Sequence, residues 1–307
     1  MAELLDVLLF TTLRAGTPLL LIVLGILITE RAGVLNLGQE GLVIMGAVCA
    51  FVATSATDSV WLGTLVGVAA GVCTSLAFAI LVLGLRANQV AAGLALTIIG
   101  AGLAAMIGDG MSGVSIAGME ALQIPVLGSL PLIGHALFSH DPLVYVSLLL
   151  LLVTWRVMDH SRLGLALTAI GHNPNASHQL GLAVLPLRLM AILSGGAFAG
   201  LAGAYLAVAY TPLWSEGMSA GRGWIALALV VFASWRVFRA MFGAYLFGLM
   251  SILNLLLQGV GINISPNLLN MLPYVVTILA LVLFSNSRFR NANTAPRALG
   301  QPYSHGD

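Results

Sequence analysis

The chain has 307 residues, of which 59% are hydrophobic and only 7% charged, with a formal net charge of +1 and a mean hydropathy of +1.02. A soluble domain carries about a quarter charged residues, so this composition excludes one and predicts an all-α polytopic membrane protein. All twelve of its Lys/Arg positions are arginine; without lysine there is no Gly-x-x-x-x-Gly-Lys phosphate loop and no Schiff-base chemistry.

A membrane span needs roughly 20 apolar residues to cross about 30 Å of hydrocarbon. About nine such runs follow in order (with eight or ten also compatible): about 7–29, 38–56, 60–84, 90–108, 142–158, 187–210, 222–236, 238–258 and 268–286. The first must accommodate Arg14 and Pro18, and only the turn around Trp235 to Arg239 separates the seventh from the eighth. The N-terminus opens with Glu3 and Asp6 and lacks a basic leader, which predicts an uncleaved first span. Cys49 and Cys73 fall inside apolar runs and read as small core residues.

Arginine placement orients these spans. With the C-terminal Arg288, Arg290 and Arg297 in the cytoplasm, nine spans also put Arg236, Arg239, the segment Arg156 to Arg188, Arg86 and Arg31 there. Only Arg14 and Arg222 then lie near the outer face, as the excess of basic residues in cytoplasmic loops requires. The N-terminus is therefore expected outside and the C-terminus inside a bacterial cytoplasmic membrane. Residues 1–286 form one transmembrane domain, with an outer connection over 109–141 and an inner one over 159–186. The outer connection holds an apolar stretch from Leu122 to Leu137, which fits an interfacial cap, a docking surface or a plain surface loop equally. The cytoplasmic tail, 287–307, is polar and Pro/Gly-containing from Asn291 onward, which predicts disorder there.

The first and sixth spans run in opposite directions and each begins a set of four, a pattern compatible with an inverted repeat. Each is followed by a polar, Gly-rich interruption, Glu30 to Gly41 with Glu30, Arg31 and Glu40, and Ser215 to Gly223 with Glu216 and Arg222. Non-helical backbone survives at membrane depth only where protein or water satisfies it. Asn36, Gln39, Glu40, Glu216 and Arg222 are thus candidates to line a translocation path, although ordinary surface loops fit the same pattern. Asn88 and Gln89 at a span end and Thr97 within a span complete the polar set, and single amides in a bundle also serve as interhelical hydrogen-bonding groups. No acid or base falls near an expected bilayer centre, where an ion-coupled carrier usually keeps one. His172 and His178, and His135 and His140, lack the four-residue spacing of a helical metal pair, and no catalytic constellation is present. No metal or nucleic-acid partner is expected, and membrane lipid is the surrounding medium.

Four motifs in order resemble the permease subunits of ATP-binding-cassette importers for simple sugars, nucleosides and branched-chain amino acids. They are Glu30-Arg31-Ala32-Gly33-Val34-Leu35-Asn36-Leu37-Gly38-Gln39-Glu40-Gly41; Asn88-Gln89-Val90 with Gly93-Leu94-Ala95-Leu96; Gly164-Leu165 through Ala169-Ile170-Gly171-His172-Asn173-Pro174; and Ala220-Gly221-Arg222-Gly223-Trp224-Ile225-Ala226-Leu227-Ala228. The resemblance spans about residues 12 to 286 and is closest to the shorter permease of the nucleoside-type systems. It implies a type II importer fold, two permease subunits, two cytoplasmic ATPase subunits and an extracytoplasmic substrate-binding protein, with ATP used by the partner and no cofactor in this chain. It further implies that Ala169 to Leu182 couples to the ATPase, Gly171, Asn173, Pro174, Ala176 and Gly181 matching the family pattern. His172 stands where a glutamate is usual, Thr168 where an arginine is usual, and Thr97 where an asparagine is common. The reading that follows is an importer permease for a nucleoside or simple sugar; an ion-coupled secondary carrier is the alternative.

Overall fold

Long runs of Leu, Val, Ala and Gly leave the backbone no water to bond, so each run closes its hydrogen bonds internally as a helix. The computed structural model describes residues 2–122, 134–259, 271, 275 and 295–303. Apart from positions 271 and 275, the expected ninth span lies outside them, as do Arg288, Arg290 and residues 123–133 of the outer apolar stretch. In chain order the helices are α1 (Ala2–Arg31), α2 (Gln39–Thr57), α3 (Val60–Ala79), α4 (Gln89–Ile107), α5 (Gly134–Phe138), α6 (Pro142–His160), α7 (Arg162–His172), α8 (Pro174–Gln179), α9 (Val184–Tyr205), α10 (Arg222–Phe232) and α11 (Val237–Gly259). A π-helical turn extends α3 over Ile80–Gly84 and another extends α9 over Leu206–Tyr210. Among the described residues there is no strand, only an isolated bridge between Ser115 and Leu213.

Six of these helices are long and apolar enough to cross a membrane, and their limits follow the first six expected spans closely. α1 runs unbroken through Arg14 and Pro18. The helix ends are set by short polar caps. Ser59 caps α3, Asn88 caps α4 and Asp141 caps α6, each accepting backbone N–H groups of the first turn. Burial pushes the Asp141 carboxyl above the ordinary aspartate range, against the backbone bonds from Val144 and Leu143 and the nearby charges of Arg14 and His140.

Packing explains which helix is central. Lipid tails are as apolar as leucine, so helices associate by close backbone approach through small residues. Gly195, Gly196, Gly200 and Gly203 of α9 do this on several sides: Gly195 meets Gly25 of α1, Gly200 meets Gly46 of α2, Gly196 meets Gly71 of α3, and Gly203 meets the backbone of Val43. α9 has 72% of its apolar window buried against 28% for α4, so α9 is the core helix and α4 an edge facing lipid or a partner.

Three expectations need correction. The seventh span was expected over 222–236, yet α10 is only 11 residues. At about 1.5 Å per residue it reaches roughly 16 Å, half a bilayer core. It stops because Ser234 and Trp235 take left-handed backbone (φ 52° and 56°) and turn the chain into α11. The crossing is completed by the non-helical residues 211–221, so the alternation of spans is kept. Arg222, expected near the outer face, consequently lies inside the bundle. Finally, residues 295–303, expected to be disordered, are folded against the arginine end of the bundle, with Pro296, Ala298 and Tyr303 buried.

Candidate functional site

The two helix interruptions meet. α4 serves as a ruler for their depth: Thr97 lies roughly 12 Å along it from Gln89, and Gly108 roughly 16 Å further, at about 1.5 Å per residue. The start of α2 sits at the Thr97 level, where Gly41 packs against the backbone of Leu96 and Thr97. The second interruption leaves α9 at the far end, where Trp214 packs on Gly108, and descends to Ser219 beside Glu40. α2 and α10 thus start at mid-depth and run in opposite directions, the relation an inverted repeat requires at these two places. The two interruptions carrying Glu40 and Arg222 read from sequence as candidate helix breaks and also fitted surface loops; their packing puts an acid and a base near the middle of the bundle.

Glu40 ties the two together. Its carboxylate accepts the Ser219 hydroxyl (2.5 Å) and the Gly221 N–H (2.9 Å) on one oxygen and the Gly223 N–H (2.7 Å) on the other. Lying in the first turn of α2 and capping α10, it serves two positive helix ends with one charge. Gly223 has to be glycine, since a Cβ there would collide with the Glu40 backbone. Arg222 donates to the carbonyls of Met218 and Ser219 and lies 5.8 Å from the Tyr210 ring centre. Arg14 approaches the same ring at 5.9 Å and donates to the Ala209 carbonyl. Gln39, beside Glu40, is 1% exposed, and its Oε1 has no hydrogen-bond partner among the described residues. Such an orphan acceptor at mid-depth is suited to a water or a solute hydroxyl.

A second constellation lies at the arginine end. Arg31, at the end of α1, forms an ion pair with Asp159 at 2.8 Å and donates to the Trp235 carbonyl, while Glu30 accepts the Trp235 indole N–H at 2.7 Å. The end of α7 packs on this knot: a Cβ at Gly171 would collide with the Arg31 carbonyl, and Gly33 lies against Gly171. Asn173 then caps α8 by accepting the Ala176 N–H (3.0 Å), Pro174 occupies its first turn, and Gly181 turns the chain away at φ +86°. Asn173, Asn175, His178, Gln179 and Leu180 are exposed, Leu180 by 84%. His172 and Ala176 are half-buried between them.

The structure therefore gathers Gln39, Glu40 and Arg222 at mid-depth. Asn36 and Thr97 hold the approach to it: Asn36 accepts the Gly38 N–H (2.8 Å) and Thr97 donates to the Leu37 carbonyl (3.1 Å). Glu216 is exposed in the second interruption. Asn88 and Gln89 lie at the arginine end instead. Asn88 accepts the Ala91 N–H, and Gln89 accepts the Leu35 N–H and donates to the Gln301 carbonyl. Ser219 and Tyr210 were missed by sequence reasoning; only the position of Ser219 within a Gly-rich interruption pointed to it. Gly33, Trp235 and Arg188 of the arginine-end knot were not singled out either, being a turn glycine, an apolar-run aromatic and a span-end cation.

Comparisons with known proteins agree with this architecture. The family model described as branched-chain amino acid transport system / permease component matches residues 8–281. A putative glucose ABC transporter permease of Haloferax volcanii is 42% identical, covering 97% of each chain. The guanosine ABC transporter permease NupQ of Bacillus subtilis is 30% identical over 99% of this chain and 98% of its own. The nucleoside ABC transporter permease NupC of Lactococcus lactis is 30% identical over 94% and 93%. No solved structure matches the chain. The chain belongs to the family of branched-chain amino acid transport system permease components.

Proposed function

We propose that this permease forms half of the translocation path of an ABC importer for a polyhydroxylated solute, a simple sugar or a nucleoside. A separate ATPase docks on α7–α8 from the cytoplasm, a second permease subunit completes the path, and an extracytoplasmic binding protein delivers the solute. ATP is consumed by the partner; this chain supplies the path and the coupling joint. The relatives named for glucose, guanosine and nucleosides support the solute class, since all these solutes present sugar hydroxyls.

One observation carries the mechanism: the end of α7 touches the Arg31–Gly33 turn directly, and that turn leads through seven non-helical residues, 32–38, to Glu40. Movement of α8 with the ATPase is passed to Gly33 by backbone contact, because glycines on both sides leave no compliant side chain between them. It then reaches α2 and the carboxylate that holds Ser219, Gly221 and Gly223. Releasing those bonds lets the second interruption move and opens the centre of the path. The polar lining spares the solute the cost of entering lipid unpaired.

The test is uptake of labelled glucose and guanosine into proteoliposomes holding the permease, its partners and internal ATP. ATP-dependent uptake of either establishes the importer; uptake by the permease alone with an ion gradient overturns it in favour of a secondary carrier. Orientation is checked with an impermeant thiol reagent on intact cells, which reacts with Ser139→Cys and spares Gln179→Cys; the reverse result inverts the topology.

A further inference from the structure

The C-terminal segment is anchored where the coupling motion would begin. Ala298 donates its N–H to the Gly171 carbonyl at 2.9 Å, joining the segment to the end of α7. The Gln301 carbonyl accepts from Gln89 at 3.1 Å, joining it to the start of α4. Tyr303 is 8% exposed and lies 5.7 Å below the Arg188 guanidinium, which itself donates to the Ala32 carbonyl. Three elements that meet at the Gly33 turn are thus bridged by residues whose composition predicts no structure at all.

What the segment presents outward is as telling as what it buries. Arg297, Gln301 and Pro302 are exposed, and they face the start of α8 across a hollow of about 330 Å³. His172, Asn173, Pro174 and Asn175 form its other wall. Among the described residues the wall holds a guanidinium, an imidazole and three side-chain amides and no carboxylate. A hollow of that chemistry matches an anionic side chain, and Ala298, bonded to the Gly171 carbonyl at the end of α7, is part of its lining.

We propose that residues 296–303 form a second arm of the ATPase-docking surface, and that the hollow between this arm and α8 receives a carboxylate-bearing side chain of the ATPase. The proposal rests on the importer function above. It accounts for where the segment folds: a partner gripping both arms at once moves α7, the Gly33 turn and the start of α4 as one body. A single arm at α8 would be free to swing about Gly181.

The test uses the assembled complex in native membranes, with a photoreactive amino acid placed at Gln301, at Gln179 on α8, and at Asp58 at the opposite end as a control. Expected are ATPase adducts at Gln301 and Gln179 and none at Asp58, with Arg297→Glu weakening ATPase association about tenfold. Ala298→Pro, which removes the N–H bonded to Gly171, is expected to lose the Gln301 adduct while keeping the one at Gln179. An adduct at Gln179 alone, with Arg297→Glu associating as tightly as wild type, overturns the second arm and leaves the importer standing. An adduct at Gln301 with Arg297→Glu unaffected overturns the carboxylate. Adducts at neither site overturn the importer and this proposal together.

Discussion

The two helix interruptions differ in how they are held, and the difference separates a strut from a gate. Over residues 32–38 no side chain is exposed, and Gln89, Asn36 and Thr97 each take up a backbone group of the segment. Over residues 211–221, Thr211, Leu213, Glu216, Gly217 and Ala220 are exposed; the first part is tied to residues 113–116 by backbone bonds of Pro212 and Trp214 and by buried Trp214 on Gly108, and the last part, from Ser219, is held by the single carboxylate of Glu40. Buried, multiply bonded backbone transmits displacement; exposed backbone held by one acid opens when that acid moves. In the function proposed above, the first interruption carries motion from the arginine end and the second responds to it.

Substitutions can break this contrast in graded steps. The largest effect belongs to Gly171→Val, which forces a side chain against the Arg31 carbonyl; a loss of about 3 kcal/mol is expected, seen as a lowered melting temperature together with lost uptake. Ser219→Ala removes one donor to a charged acceptor, worth about 2 kcal/mol. Because the proposed gate breaks this bond within the folded state, the loss shifts the balance of closed and open folded forms and is expected mainly in uptake kinetics, with melting changed less than that figure. Thr97→Val removes one neutral bond to the strut and should cost about 1 kcal/mol, readable as a small fall in melting temperature with uptake close to normal. Should Ser219→Ala lower melting more than Thr97→Val, the strut and the gate have been assigned the wrong way round.

Much of the architecture was legible because lipid imposes one demand, internally satisfied backbone, and runs of apolar residues report it directly. Gly196/Gly200 and Gly63/Gly67 recur at four-residue spacing in the sequence, a pattern that suits close helix packing, and each glycine meets a neighbouring helix directly. Depth was not. Glu30 to Gly41 and Ser215 to Gly223 have a composition that fits helix breaks beside a path and surface loops alike, and it is the packing of Gly41 on α4 and of Ser219 on Glu40 that puts them inside. The length of α10 was hidden because a mostly apolar run, broken only by Ser234, continues from Val231 to Trp235, while Trp235 is held by Glu30 and Arg31 far away in sequence. The folded 295–303 segment was hidden for the converse reason: its anchors are two backbone bonds and one aromatic ring, which leave no hydrophobic periodicity. The coupling role proposed for Gly171, Asn173, Pro174 and Gly181 came from resemblance, and the structure adds how each sits in its place: contact, cap, first turn and left-handed turn.

The most direct test of the Glu40 link is Glu40→Ala in proteoliposomes, with ATP hydrolysis and solute uptake recorded on the same sample. Removing the carboxylate severs its bonds to the second interruption while leaving the proposed α7–α8 docking surface intact. ATPase association and hydrolysis should persist while uptake falls at least about tenfold, a figure matching the loss of roughly 1.4 kcal/mol or more of coupling. Uptake at the wild-type rate would contradict the claim that this one side chain joins the two halves of the path.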